Sequence, residues 1–326
     1  MRVCVTGGTG FVGRVLVRRL IQQGNHVRVL ARPSPRADAL AAQGADVVHG
    51  DLGDADSVAR AIAGAEIVYH CAAKVGDAGT HAQFIETNAG GTARVLEACH
   101  ANAVRRLVYL SSIAVYGLAH PGERIDENTP FDPHPEARDA YAHSKILADQ
   151  EALAFARGTG LPVTILREGL VYGPGRPLPT SLLGFRAGKA HFAFANRRDH
   201  FPLNYVENLV DAMLTAAQAQ DSRPHQYILL DDDDLTLSAY HKVRAEVERS
   251  PAFFFPGWPV LASASIADAV RRALSIGQRE GASFSAYQVT RALEDRCYDS
   301  SRIRRETGWS PRISLREATA HTLSMA

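Results

Sequence analysis

The sequence predicts an α/β fold, a doubly wound parallel sheet with a smaller C-terminal lobe, on three observations. Short β-branched runs alternate with helical stretches, a glycine-rich turn follows the first run directly, and the alternation loosens after about residue 172. With 326 residues, 46% of them apolar, the chain suits one large α/β unit carrying a second lobe.

The strand-like runs are Val3–Thr6, Val27–Leu30, Asp46–His49, Ile67–His70, Arg106–Ser111, Val163–Arg167 and Gln226–Leu230. Apolar on both faces, they fit a sheet covered by helices on each side. Helical patterns lie between them, over Gly13–Gln23, Asp54–Ala63 and Thr87–Ala101. Residues 1–172 are therefore expected to form a nucleotide-binding domain, rejoined by residues 204–230 through a helix over Asn204–Gln218 and a last strand. Residues 173–203 and 231–326 are assigned to a substrate-binding lobe, entered through Gly173-Pro174-Gly175-Arg176-Pro177. The acidic run Asp231–Asp234 reads as a solvated turn.

Thr6-Gly7-Gly8-Thr9-Gly10-Phe11-Val12-Gly13 stands between the first strand and the first helix. Gly7 permits the turn, Gly10 lets backbone approach a pyrophosphate, and Gly13 lets helix and strand pack closely. The helix N-terminus favours the anion. In this position the pattern is a Rossmann dinucleotide fingerprint, and Thr9, Phe11 and Val12 are expected beside the cofactor with the glycines. An NAD site usually has a carboxylate after the second strand. Here the segment is Leu30-Ala31-Arg32-Pro33, and a guanidinium at Arg32 can pair with a 2′-phosphate, so the expected cofactor is NADP(H). Asp51 and Leu52 follow the third strand, where Asp51 can reach the adenine amino group or cap a helix. His70-Cys71-Ala72-Ala73-Lys74 follows the fourth, and its small alanines let the chain run close beneath the cofactor, beside Lys74. Asn88 is expected close to the cofactor, supporting the active-site backbone.

Tyr141-Ala142-His143-Ser144-Lys145 sets Tyr141 and Lys145 four residues apart, on one helical face. A tyrosine ordinarily ionises near pH ~10, and a neighbouring ammonium, with the charged ring of an oxidised cofactor, would bring it down. Lys145 can also hold the nicotinamide ribose. Ser112, ending a strand, can bind a substrate oxygen and stabilise developing charge. His143 is expected to point away from Tyr141, and His120 and His134 lie in a loop over Gly117–Ala140 that could cover a substrate.

With Thr6–Gly13, Asp51-Leu52, His70–Ala73, Asn88–Thr92, Ser111–Gly117, Tyr141–Lys145, Val171–Pro174, Tyr205–Asn208 and Gly308–Pro311 in this order, the chain resembles the extended short-chain dehydrogenase/reductase family over nearly its whole length. It looks most like the 3β-hydroxysteroid dehydrogenase and dihydroflavonol reductase branch. The resemblance implies a Ser–Tyr–Lys mechanism: Tyr141 as proton donor and acceptor, Lys145 tuning it, and Ser112 orienting the carbonyl. Ser112 is preferred to Ser111 because the family's Ser/Thr lies five residues before the glycine of its VYG motif, here Gly117. It also implies that Gly169 and Val171 lie along the cofactor, and it allows a homodimer. Where the family often has Arg-Pro, this chain has Arg167-Glu168; Glu168 either changes the nicotinamide-side wall or is salt-bridged beside Arg167. Sugar dehydratases of the family carry Asp-Glu after the catalytic Thr, whereas Ile113 and Ala114 stand here, so dehydration by that route is not expected.

The expected reaction is therefore NADPH-dependent reduction, or the reverse oxidation, of a ketone or aldehyde on a mostly apolar small molecule. The alternatives are a nucleotide-sugar epimerase, for which Arg186, Lys189, Arg197 and Arg198 are candidate diphosphate ligands, and a non-catalytic NADP-binding regulatory protein. Net charge is +1 with scattered basic residues, which gives no nucleic-acid footprint. The four cysteines lack metal-binding spacing and the 13 histidines form no HExxH motif, so no metal is expected. Cys4 and Cys71 read as buried thiols of a reduced, cytoplasmic protein. Phe253–Leu261 is broken by prolines and far shorter than the about 20 residues of a membrane span.

Overall fold

A computed structural model describes residues 1–76, 78–117, 123–178, 185–187, 190–194, 200–219, 221, 223–255 and 296–325. Seven strands form the main sheet: β1 (Arg2–Thr6), β2 (His26–Ala31), β3 (Asp46–His49), β4 (Ile67–His70), β5 (Arg106–Ser112), β6 (Val163–Glu168) and β7 (His225–Leu229). All neighbours pair parallel, in the order β7-β6-β5-β4-β1-β2-β3. This is the doubly wound α/β sheet expected from the sequence.

The helices that concern the site are α1 (Phe11–Gln22), α2 (Pro35–Ala42), α3 (Ala55–Ile62), α4 (His81–Ile85), α5 (Gly91–Ala101), α6 (Ala140–Thr159) and α7 (Val206–Ala216). Strand alternation divides the core into two layers. Val3 and Val5 of β1 join a cluster with Leu16 and Leu20 of α1 and Leu209 and Met213 of α7. Cys4, between them, joins Val58 and Ile62 of α3, Val95 and Leu96 of α5, and Ala152 of α6. Local chemistry sets the helix ends. Asp54 caps α3, accepting from the Asp56 amide at 3.1 Å; Asp139 caps α6, accepting from the Ala142 amide at 2.8 Å; and Gly160, at φ 73°, closes α6.

Several expected boundaries move. The helix expected from Gly13 starts at Phe11. The one expected from Asn204 starts at Val206, because Leu203–Tyr205 instead pairs as a strand with Leu170–Tyr172. The stretch from Thr87 is interrupted by a wide turn over Glu86–Gly90 that brings Asn88 inside. A small sheet pairs Ala190–Phe194 with Phe185–Ala187 and Ala252–Phe255. There Phe192 stacks on Phe253 and Phe255 at 5.3 and 6.0 Å, and both partners are exposed.

The acidic run is a solvated turn only in part: Asp232 and Asp234 are exposed, whereas Asp231 and Asp233 are tied to the protein. Asp231 accepts from the Tyr205 amide at 2.8 Å and from Asn208 Nδ2 at 3.0 Å, and burial pushes its carboxyl up to about 6. Asp233 accepts from the Ser300 amide and Arg304 Nη1, at 3.0 and 3.1 Å, tying the C-terminal segment to the end of β7. Trp309 is buried. Among the described residues no helix is long and apolar enough to cross a membrane.

Candidate active site

The chain leaves β1 in one direction to β2 and β3 and in the other to β4, β5, β6 and β7, so the carboxyl ends of β1 and β4 border the point where strand order reverses. In open α/β sheets that crevice takes the ligand. The glycines fit backbone-to-backbone packing there. Gly7 has φ +74°, and a Cβ on it would lie 2.6 Å from the Ala72 amide nitrogen; one on Gly13 would lie 2.1 Å from the Gly7 carbonyl oxygen. A Cβ on Gly10 would meet only that same oxygen, at 3.1 Å, and the first turn of α1 has no side-chain cap. Thr9 and Phe11 are half-buried, and the Phe11 ring lies under the Arg14 and Arg176 guanidiniums at 5.3 and 5.5 Å; Val12 faces the core.

Arg32, just past β2, is 81% exposed in its side chain, and its Nε lies 3.7 Å from Asp51 Oδ2. Asp51 is not the cap of α3, a position Asp54 holds, and its Oδ1 accepts from the Gly53 amide at 2.9 Å. Leu52 is buried against Gly91. Ala72 and Ala73 are half-buried, and the Ala72 amide points to Thr6 Oγ1 at 3.4 Å. Cys4 is buried as expected, whereas Cys71 is only half-buried. Asn88, expected near the cofactor, spends its amide on the protein. It accepts from the Lys74 amide at 2.6 Å and donates to the Lys74 carbonyl at 3.0 Å and to Ser144 Oγ at 2.8 Å. The Gly169 amide donates to Asn204 at 2.7 Å, and Val171 lies beside it in the Leu170–Tyr172 strand.

Ser112 is the last residue of β5, and alternation separates it from Ser111. Ser111 points to the α6 side and donates to Asp149, which also takes Arg167 Nε at 2.8 Å. Ser112 accepts from the Ala114 amide at 3.2 Å, and its hydroxyl comes near enough to Tyr141 to favour the ionised phenol. The structure thus brings Ser112, rather than Ser111, to the phenol. Burial, and behind it the Glu168 carboxylate, pushes the Tyr141 phenol well above its ordinary range, while the nearby Ser112 hydroxyl pulls the other way. The Lys145 ammonium donates to the Tyr109 hydroxyl and the Leu110 carbonyl, both at 2.9 Å, and burial lowers it to about 8.

A buried network around this group was not legible in the motifs. Thr6 Oγ1 meets His70 Nδ1 at 2.6 Å, and His70 Nε2 meets Thr92 Oγ1 at 3.0 Å. Thr92 donates to the Asn88 carbonyl at 2.6 Å, and Ser144, which takes Asn88 Nδ2, donates to the Tyr141 carbonyl at 2.7 Å. Burial lowers His70 to about 3, so this relay carries no charge at neutral pH. His143 does turn from Tyr141; its Nδ1 meets His81 Nε2 at 2.7 Å. Glu168 is not paired with Arg167, whose guanidinium goes to Asp149, Tyr116 and Gln226. His200, Asp234 and Cys297 approach one another, with Arg124 donating to Asp234 at 2.8 Å and to Cys297 Sγ at 3.1 Å. His120, Arg197 and Arg198, and the side chains of Arg186 and Lys189, lie outside the described residues.

A sequence profile described as the NAD dependent epimerase/dehydratase family matches residues 3–229, most of the chain. The chain belongs to the NAD dependent epimerase/dehydratase family. The extended short-chain dehydrogenase/reductase resemblance is thereby borne out. Among relatives in this family, a 2-alkyl-3-oxoalkanoate reductase of Stenotrophomonas maltophilia (strain K279a) is 32% identical over 222 residues, 67% of this chain and 66% of that protein. A 4-hydroxy-2-methyl-3-oxo-4-farnesyl-3,4-dihydroquinoline-1-oxide ketoreductase of Stigmatella aurantiaca is 27% identical over 319 residues, 96% of this chain and 93% of that protein. The crystal structure of gox2253 superposes with a TM-score of 0.82 at 24% identity, covering 99% of this chain and 97% of that one, a likeness of fold. Family membership makes the chain an oxidoreductase-type protein of a nicotinamide-cofactor family.

Proposed function

We propose that this protein is an NADPH-dependent reductase of a ketone or aldehyde on a mostly apolar small molecule, with the nucleotide-binding and substrate-binding parts divided as the sequence suggests. The observation that carries the reading is the approach of the Ser112 hydroxyl, at the end of β5, to the Tyr141 phenol, while Ser111 is committed to Asp149. The glycine turn, closed to any Cβ at Gly7 and Gly13 yet open in front of Gly10, fits a pyrophosphate. Bound there, the cofactor would supply hydride for a substrate carbonyl. Ser112 then holds the carbonyl oxygen and Tyr141 gives it a proton. The Tyr141 phenol is protonated at neutral pH, the state a reductase needs before transfer. Lys145, anchored by Tyr109 and Leu110, offers its remaining N–H to the nicotinamide ribose.

Two relatives carry names of ketone reductions on molecules with alkyl or farnesyl chains, which supports an apolar ketone as substrate. Ile113 and Ala114, without acid/base groups, support reduction over dehydration. The test is a panel of alkyl-substituted 3-oxo compounds with NADPH consumption as readout, beside a nucleotide-sugar panel. Turnover on the sugars alone would replace this reading by the epimerase one, and cofactor binding without turnover on either would favour a regulatory protein.

Arg32 is the proposed 2′-phosphate ligand, being exposed at the end of β2 and held only by a long contact to Asp51. Arg32→Ala is expected to weaken NADPH binding by about tenfold, the low end for a charge-assisted hydrogen bond in water, and to leave NADH within about twofold. Fluorescence titration with both cofactors checks it; equal losses would remove the phosphate role.

A further inference from the structure

We infer that Glu168 is a ligand-recognition residue, its inward carboxyl pairing with the carboxamide of a bound nicotinamide. This rests on the cofactor reading above and adds a residue to it. Glu168 ends β6 and lies in register with Ser112, so it stands at the same strand-end rim as the Ser112–Tyr141 pair. Its Oε2 is sealed from solvent and has no hydrogen-bond partner among the described residues. The adjacent Arg167 cannot serve it, since alternation sends that guanidinium to the other face, where Asp149, Tyr116 and Gln226 take it.

The groups that face Glu168 come from four directions: Lys145 and Tyr141 from α6, Arg176 from the loop after Leu170–Tyr172, Cys71 from the end of β4, and Ser112 from β5. Neither cation closes on it as an ion pair among the described residues. Lys145 is bonded to Tyr109 and Leu110, and Arg176 lies over Phe11. A buried carboxyl oxygen with nothing to bond is costly, and such groups are otherwise rare in folded proteins. Burial pushes this carboxyl up to about 8, so at neutral pH it is an uncharged acid with an O–H donor beside a carbonyl acceptor.

That pair of functions selects its partner. An anion finds no charge complement in an uncharged acid, and an ammonium would duplicate Lys145. A primary amide presents the matching acceptor and donor side by side. The nicotinamide ring has one hydrogen-bonding substituent, its carboxamide, and it is the end of the dinucleotide that must reach Tyr141 for hydride and proton to meet on one carbonyl.

Three probes separate the possibilities by direct binding: NADPH, its 3-acetylpyridine analogue, which keeps the carbonyl and lacks the amide N–H, and 2′-phospho-ADP-ribose, which lacks the ring. The wild type is expected to prefer NADPH over the acetyl analogue by about tenfold, the value of one well-made buried hydrogen bond. Glu168→Leu should erase that preference and leave 2′-phospho-ADP-ribose binding unchanged. Glu168→Gln, which keeps a donor and an acceptor, should hold NADPH within about threefold and abolish the loss of affinity expected of the wild type above pH 8, where its carboxyl ionises. An undiminished preference for NADPH in Glu168→Leu overturns the inference. Should the leucine variant bind none of the three, the glutamine variant decides: a loss above pH 8 that persists in it assigns the titration to Lys145 and removes Glu168. Failure of all three probes on the wild type overturns the cofactor reading and this inference with it.

Discussion

Tyr141→Phe is expected to lower ketone reduction by about 10³-fold while NADPH binds with unchanged affinity. The change removes one oxygen, the proposed proton donor, and positioned general acids contribute roughly 10²–10⁴-fold. The fold should not suffer, because Ser112, the hydroxyl beside the phenol, keeps its bond to the Ala114 amide. Steady-state rates with the best ketone of the panel, beside a cofactor titration, check both halves. Turnover within about threefold of wild type would take Tyr141 out of the chemistry, and loss of NADPH binding would make its role structural.

Asp149→Ala is expected to be the costliest single change for stability outside the glycine turn. Asp149 is fully buried, takes Arg167 Nε at 2.8 Å, and receives the Ser111 hydroxyl. Removing it strands a guanidinium that is 1% exposed and orphans a hydroxyl in the same stroke. Breaking one side of a buried pair costs about 3–5 kcal/mol. For a chain of 326 residues that is a fall in melting temperature of roughly 5 °C. Urea and thermal unfolding report it directly. The double variant Asp149→Ala/Arg167→Leu should regain most of the loss, since it removes the stranded charge; a loss below about 1 kcal/mol in the single variant would show that water or a shifted Arg167 relieves the site.

The sheet was largely legible in the sequence because its inner strands are mostly apolar runs, buried on both faces, and that pattern is insensitive to long-range partners. The wide turn at Glu86–Gly90 and the Leu203–Tyr205 strand were not. One depends on where Asn88 finds its bonds, the other on a partner strand over 30 residues away. In the candidate site, the glycine turn, Tyr141 and Lys145 could be named from spacing, and Ser112 from the family resemblance. What they touch could not. The sequence reading has Lys145 beside Tyr141 lowering its pKa, yet the ammonium is bonded to Tyr109, which lies on β5 and has no motif to announce it. Likewise nothing in Asp231–Asp234 distinguishes a solvated run from one whose first and third carboxylates receive bonds from Tyr205 and Ser300. Alternation alone, applied to Arg167 and Glu168, would have separated the two side chains and ruled out their pairing.

The relay from Thr6 through His70, Thr92, Asn88 and Ser144 to the Tyr141 carbonyl runs without a gap, each link 2.6 to 3.0 Å long. It begins on the strand that feeds the glycine turn and ends on the helix that carries the phenol. The span between grip and proton is therefore written into the protein before anything binds. A ligand arriving at such a site spends little of its affinity on ordering the machinery, and more is left to discriminate among substrates.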